Sequence, residues 1–209
     1  MMSLFFEVEI RPGRKDQYLN LAASLKPSLE AMGGCLFLDR FRSLSRDNLI
    51  LSYQIWQDDG AMTAWRVDGK HHDVQTLGRT KVFSDYRLRI AQVICEMKPG
   101  QPVWRAEQRS SYNDPARRPP TYVLVTESRR AQLAVPTEWR SDAFESVYRE
   151  GQFAHLVDLP DDRSGLAFGE RLLAEPTTEY VRIVEVVRDY GMYDRTEAPQ
   201  YYPPVSRDP

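Results

Sequence analysis

The chain contains few of the residues that build covalent or metal-held scaffolds. It has two cysteines, Cys35 and Cys95, and three histidines among 209 residues. Two thiols can form neither a disulfide scaffold nor a four-thiolate metal site, and three imidazoles offer little for a histidine-ligated metal. We therefore interpret the cysteines as small buried apolar side chains and expect no metal ion.

Long apolar runs and a large net charge are also missing. No apolar stretch approaches the roughly 20 residues that a membrane span requires, and the first residues lack the basic segment and long apolar run of a signal peptide. The formal net charge is −2, whereas nucleic-acid-binding proteins usually present a basic surface. We therefore expect a cytoplasmic protein that binds neither nucleic acid nor membranes.

What the chain does have is an internal repeat. Residues 49–56 and residues 152–159 are both predicted strands that end near an Asp-Asp pair and lead into a helix. Each helix precedes a long strand with a tyrosine near its start, Tyr86 in the first copy and Tyr180 in the second. Two copies are too few for a solenoid, so the repeat predicts two similar domains packed as a pseudo-dimer.

The predicted elements of residues 1–97 follow the order β-α-β-β-α-β, the ferredoxin-like pattern of an α+β fold. The proline-rich residues 98–120 are predicted to form an extended linker. Residues 121–195 repeat the pattern with a shortened first helix at 129–135. Residues 196–209 are predicted to form an extended tail that packs on the other repeat or on a second chain.

Three stretches of the first copy resemble the antibiotic biosynthesis monooxygenase domain of the dimeric α/β-barrel superfamily. They are residues 58–66 (DDGAMTAWR), 71–75 (HHDVQ) and 82–91 (VFSDYRLRIA), and residues 187–192 (VRDYGM) of the second copy are similar to the family as well. The chain thus resembles a tandem repeat of that domain.

The resemblance implies an antiparallel barrel made from two sheets, one from each βαββαβ repeat, with the helices outside. Two chains normally supply the two repeats, but here both lie in one chain, so the barrel is expected to close internally. A homodimer through other surfaces is the expected assembly. The family's strand order places Cys35 and Cys95 in opposite edge strands of one sheet, which excludes a disulfide between them.

The resemblance also implies a cofactor-independent monooxygenase that oxidises a small aromatic or polyketide-like substrate with O₂. Such a site needs a base that helps to form the phenolate and a donor that steadies it. In the single helix predicted over 61–77, Trp65 and His72 are seven residues apart and share a face. Histidine has the pKa for a base near neutral pH, so we predict His72 and Trp65 as the catalytic residues.

Further residues around this predicted helix and on the neighbouring strands are candidates for substrate binding. They are Tyr53, Trp56, His71, Gln75, Arg79 and His155. Each also fits a structural role, since Tyr53 and His155 suit a core and Arg79 suits an ion pair. The helix of the second copy has neither histidine nor tryptophan, so that copy is expected to serve as the partner wall.

Two other functions are compatible with the residues. The superfamily's haem-degrading members carry an Asn on the first strand and a His about three turns beyond the Trp. Here strand 4–10 has no Asn, and Thr76 stands near the place of that His, so we predict no stable haem complex. A small-molecule-binding or scaffold protein without turnover is the other alternative, and an isomerase role is also open.

Overall fold

A computed structural model describes residues 1–108, 120–199, 201–203 and 205–206. The predicted linker and tail therefore fall partly outside the described residues, at 109–119, 200, 204 and 207–209. The first repeat comprises β1 (Met2–Ile10), α1 (Lys15–Met32), β2 (Cys35–Ser43), β3 (Leu49–Trp56), α2 (Asp59–Val67), α3 (Gly69–Leu77), a π-helical turn (Gly78–Val82) and β4 (Phe83–Met97). A short β5 (Trp104–Arg105) precedes the second repeat, which comprises β6 (Thr121–Ser128), β7 (Ser141–Ser146), β8 (Phe153–Leu159), α4 (Asp162–Leu173) and β9 (Thr178–Gly191). Within the described ranges, no helix is long and apolar enough to cross a membrane.

Eight of the strands close into one antiparallel barrel. The strand order is β2-β3-β1-β4 in the first repeat and β7-β8-β6-β9 in the second. Two seams join the sheets: β4 pairs with β9 from residue 87 to residue 97, whereas β2 pairs with β7 only from residue 41 to residue 43. The α+β class and the barrel closed within one chain are therefore confirmed.

The two cysteines lie on opposite sides of the first sheet. Cys35 begins β2 and Cys95 lies in β4, and these are the two outer strands of that repeat. Both thiols are free, as the strand order implied, because two strands of the sheet lie between them.

The barrel interior is a packed core, because side chains on one face of each strand point into it. Both repeats supply its apolar members, which include Phe5, Phe41, Leu51, Tyr53, Val125, Phe144, Leu156 and Val184. Two of its polar pairs are buried: Tyr180 Oη donates to Glu127 at 2.7 Å, and Arg182 Nη1 donates to Tyr53 Oη at 3.0 Å. Buried charges persist when they are paired in this way. The predicted substrate ligand Tyr53 is thus fully buried inside the barrel.

The repeated Asp-Asp pair has the same role in both copies. Asp58 Oδ1 accepts a hydrogen bond from the backbone N–H of Ala61 at 2.8 Å, and Asp161 Oδ1 accepts one from Ser164 at 2.6 Å. The first aspartate of each pair is therefore a helix N-cap. The second lies in the first helical turn, where a negative charge favours the helix.

The single helix predicted over 61–77 is two helices, so this prediction is wrong. Asp68 leaves the helical backbone with ψ of 130°, and its side chain caps α3 by accepting a hydrogen bond from His71 N–H at 2.8 Å. Aspartate competes with helix continuation by bonding nearby backbone N–H groups, and apolar periodicity does not reveal that competition. Trp65 and His72 therefore do not share the face of one helix.

The shortened first helix predicted for the second repeat is absent, because residues 129–140 contain no helix. Trp139 in this segment instead meets Phe168 of α4 edge-on, with 5.4 Å between the ring centres. A segment this short is below the length at which helices are stable on their own, and Pro136 interrupts helical hydrogen bonding. Packing against α4 decides the path of the chain here.

The turn from α1 to β2 generates a prediction about the position of α2. Gly33 and Gly34 have φ of +73° and +78°, and a Cβ at Gly34 would lie 2.5 Å from the Cβ of Ala61, whereas one at Gly33 would meet nothing within 4 Å. We expect Gly33→Ala to lower the free energy of unfolding by about 1–2 kcal/mol through the positive φ. We expect Gly34→Ala to lose about 1–3 kcal/mol more, because α2 must move. Urea denaturation measures both, and equal losses would show that the turn does not fix α2.

Candidate active site

A cleft of about 440 Å³ lies between α2 and the seam at which β4 meets β9. Its lining comprises Asp59, Thr63, Arg66, Ile90, Val187, Arg188 and Pro199. This volume falls in the range of about 300–1,000 Å³ that is typical of small-molecule pockets. Both repeats contribute, since α2 belongs to the first repeat and Val187 and Arg188 belong to the second.

Two guanidinium groups face this cleft. Arg66 is half-buried and forms neither an ion pair nor a hydrogen bond with any other described residue. Arg188 donates to the backbone carbonyl of Glu197 at 3.3 Å. A half-buried cation without a partner is available to an acidic ligand, because arginine matches the geometry of carboxylate and other oxyanions.

Tyr190 lies on β9 in the same apolar cluster as Ile90, Trp56 and Trp65. Burial and the neighbouring Tyr86 raise the pKa of Tyr190 to about 12, although three arginines act in the opposite direction. The hydroxyl therefore keeps its proton near neutral pH. It has no hydrogen-bond partner among the described residues, so it is available as a donor beside the cleft.

Beyond Tyr190 the same face carries a cluster of arginine and tyrosine side chains. The hydroxyl of Tyr86 accepts hydrogen bonds from Arg79 Nη1 at 2.5 Å and from Arg195 Nη1 at 2.8 Å. The guanidinium of Arg195 also lies 5.3 Å from the ring centre of Tyr190. Arginine–aromatic contacts of this kind are attractive, so the cluster connects the cleft with α3.

Tyr202, in the tail, lies on α3 and contacts three of the predicted site residues. Its hydroxyl donates to Gln75 Oε1 at 2.7 Å and lies 3.2 Å from His72 Nδ1, and its ring stacks on His72 with 5.3 Å between ring centres. The guanidinium of Arg79 lies 4.8 Å from the ring centre of Tyr202. His72, Gln75 and Arg79 thus come together, but around a residue of the chain itself.

Trp65 is paired with His71 rather than with His72. The two rings stack with 4.3 Å between their centres, and His71 Nδ1 lies 2.9 Å from the backbone carbonyl of Trp65. That carbonyl can only accept, so Nδ1 carries the proton when the bond forms. Burial lowers the pKa of His71, which favours the neutral ring. Neither Trp65 nor either histidine lines the cleft.

The remaining predicted site residues lie elsewhere. Trp56 is fully buried under α2 and donates from Nε1 to Gln54 at 3.0 Å. His155 is buried in the second repeat, on the strand face that packs outside the barrel, with Nε2 2.8 Å from the carbonyl of Arg130. The structure therefore does not bring Tyr53 or His155 to the cleft.

Sequence reasoning missed Arg188, Tyr190 and Tyr202 and assigned Arg66 no role. A signal existed for Tyr190, which lies in the family-like stretch 187–192. Nothing in the sequence places Arg188 against the helices of the first repeat, because that proximity depends on the pairing of β4 with β9.

The second repeat has a corresponding but smaller cleft of about 220 Å³, lined in part by Asp162 and Leu166 of α4. At equal distance from the capping aspartate, Arg66 of α2 corresponds to Gly169 of α4. A Cβ at Gly169 would lie 2.3 Å from Met97 Cε and 3.0 Å from Val181 Cγ1. The glycine lets α4 pack closely on the seam and leaves no cation at this position of the helix; the arginine that lines the smaller cleft is Arg105 of β5, so the two clefts are not equivalent.

In the part of the chain that the structure describes, no group of three or more His, Cys, Asp or Glu side chains is placed to hold a metal ion.

Comparison with known proteins identifies the family of this chain. The family model for antibiotic biosynthesis monooxygenase matches residues 1–77. A protein of Pyricularia oryzae described as jasmonate monooxygenase ABM is 33% identical, over 99% of this chain and 100% of its own length. The chain belongs to the antibiotic biosynthesis monooxygenase family.

Solved structures show more distant similarity. A crystal structure of an antibiotic biosynthesis monooxygenase is 17% identical with a TM-score of 0.41, covering 45% of this chain and 99% of that chain. An anthrone oxidase-like protein is 13% identical with a TM-score of 0.39, covering 95% of this chain and 96% of that chain. At these TM-scores neither structure bears on the reaction.

The two buried histidines predict a dependence of stability on pH. Burial lowers the pKa of both His71 and His155, so the unfolded chain binds protons more readily than the folded chain. The free energy of unfolding should therefore fall as the pH drops below about 6.5, the ordinary histidine value, until the lowered pKa values are passed. Each histidine can add a slope of at most about 1.4 kcal/mol per pH unit.

Urea denaturation between pH 8 and pH 5 tests this dependence. We expect His155→Gln to have a smaller slope of unfolding free energy against pH than the wild type. An unchanged slope in His155→Gln would show that other groups cause the acid sensitivity.

Proposed function

We propose that this chain is a monooxygenase that oxidises a small aromatic or polyketide-like substrate with O₂ and without a metal or flavin. The acidic oxygen of that substrate binds between Arg66 and Arg188, and its apolar body contacts Ile90, Val187 and Pro199. The observation that carries the proposal is the guanidinium of Arg66, which has no partner among the described residues and lines the cleft together with Ile90 and Val187.

The two arginines give the cleft a chemical role. An opposite charge within about 4–6 Å favours the ionised form of a bound acid, so the arginines promote formation of a phenolate or enolate. That anion passes electrons to O₂ more readily than the neutral substrate. Tyr190 keeps its proton and donates to the charged oxygen.

The reaction balances without an added reductant when a CH₂ group next to the activated ring is oxidised to C=O. One atom of O₂ enters the substrate, and the other leaves as water with the two hydrogens of the CH₂ group. The substrate supplies all four electrons. Trp65 and His71 then act indirectly, because Trp65 packs with Ile90 and Tyr190 beside the cleft and His71 supports Trp65.

A second candidate substrate follows from the Pyricularia oryzae relative, whose name specifies jasmonate. Jasmonate is a small cyclic ketone with a carboxylate, and the same pair of arginines suits that carboxylate. Hydroxylation of its unactivated carbons would consume a two-electron reductant. Oxygen uptake with an anthrone and with jasmonate, each with and without reductant, and ¹⁸O₂ labelling of the products distinguish the two substrates. Failure of both under all conditions would favour a binding protein without turnover.

Replacing Arg66 tests the anion-binding part of the proposal. We expect Arg66→Gln to raise KM by about 10–100-fold, because a hydrogen bond to a charged group contributes about 1.5–3 kcal/mol. Arg163→Gln, an exposed arginine on α4, is the matched control and should leave KM unchanged. Equal KM values in both variants would place substrate binding elsewhere.

Replacing Tyr190 tests the donor. We expect Tyr190→Phe to lower kcat by about 10²–10³-fold, the typical loss of one preorganised donor, while the ring and its packing remain.

His72→Ala and Trp65→Phe test the catalytic assignment made from the sequence. A larger loss of kcat in His72→Ala than in Tyr190→Phe would support that assignment. Haemin titration of the wild type tests the haem alternative, since a Soret band retained through gel filtration would support it.

A further inference from the structure

One face of α3 and the π-helical turn that follows it carries three polar side chains in register. His72, Gln75 and Arg79 are spaced by three and four residues, which places them in a row. We call these three residues the α3 site. All three contact Tyr202 of the tail.

The α3 site contacts both the ring and the hydroxyl of Tyr202. His72 stacks on the ring at an interplanar angle of 11°, and Arg79 supplies a cation over the ring at 4.8 Å. Gln75 Oε1 accepts a hydrogen bond from the hydroxyl of Tyr202, with 2.7 Å between the two oxygens. A site that binds a hydroxyl in this way discriminates against the analogue that lacks it, so these contacts select a phenol rather than any apolar ring.

Burial shows that the contact is specific to Tyr202. Tyr202 is 8% exposed, whereas its neighbour Tyr201 is 81% exposed. Two identical side chains in adjacent positions thus have opposite environments, and only one of them is held by the α3 site. The described tail residues 201–203 belong to no helix or strand, so side-chain contacts hold this segment in place.

The α3 site is held by the first repeat and not only by the tail. Arg79 is 4% exposed and donates to the hydroxyl of Tyr86 on β4 at 2.5 Å. Tyr86 is fixed in turn by its strand and by Arg195. The cation of the site therefore has a support that remains when Tyr202 is removed, which is the condition for binding a replacement ligand.

We infer that the α3 site is a binding site for a phenol ring, which Tyr202 occupies within the chain and which a free phenol can occupy in its place. The site lies on α3, whereas the cleft is lined by α2, β4 and β9, so the inference goes beyond the proposed function. Because Tyr202 is tethered, it competes with a free phenol at a high effective concentration. The wild type should consequently bind phenols more weakly than a chain without this side chain.

The test measures binding of p-cresol, which reproduces the tyrosine side chain. We expect Tyr202→Ala to have a lower Tm than the wild type. Addition of p-cresol at millimolar concentration should raise the Tm of this variant. Toluene, which lacks the hydroxyl, should raise it much less. The apparent Kd of p-cresol, from isothermal titration, should be at least about tenfold lower for Tyr202→Ala than for the wild type. Tyr201→Ala is the matched control and should behave as the wild type does.

A second variant separates recognition from cavity filling. In the Tyr202→Ala background, Gln75→Ala should make the Tm shift caused by p-cresol equal to the shift caused by toluene. Equal Tm shifts with both compounds when Gln75 is present, or a larger shift with p-cresol that persists in Gln75→Ala, would show that the α3 site does not recognise the hydroxyl and would overturn the inference. No binding of p-cresol to Tyr202→Ala would also overturn it. If that variant does not fold, Tyr202→Leu serves for the same titration. Turnover is not measured, so failure of the proposed function leaves this result intact.

Discussion

The pairing of β4 with β9 is the interaction on which the rest of the structure depends. These two long strands belong to different repeats, and their backbone hydrogen bonds join the two sheets over residues 87–97. The register sets Ile90 opposite Arg188, and a bulge follows between Ile90 and Ala91. The cleft lies directly over this point, so a backbone ladder determines which side chains of the second repeat face the helices of the first.

The two repeats share a fold but differ in how closely the second helix approaches the seam. Both helices begin at a capping aspartate, Asp58 or Asp161, so their starting points are equivalent. Further along, α2 carries Arg66 where α4 carries Gly169, and close packing fills the space that a longer side chain keeps open. The larger cleft therefore has an arginine on its helix, Arg66, whereas the arginine that lines the smaller cleft, Arg105, lies on β5.

Local hydrogen bonding at Asp68 has a long-range consequence. By capping α3, this residue ends the preceding helix and turns the chain, so that His71 stacks on Trp65 while His72 faces the tail. Adjacent histidines are thereby assigned to different neighbours. His71 packs on Trp65 of the apolar cluster under α2, whereas His72 belongs to the α3 site and contacts Tyr202.

The sequence by itself determined the repeat and the βαββαβ order, because these follow from local patterns that occur twice, and its resemblance to the family implied a barrel closed within one chain. It could not foresee the break at Asp68, where a side-chain cap competes with an otherwise continuous helical pattern. Only the tertiary structure decided that Arg66, Arg188 and Tyr190 meet and that Tyr202 occupies α3, because strand register and tail packing join residues far apart in the chain.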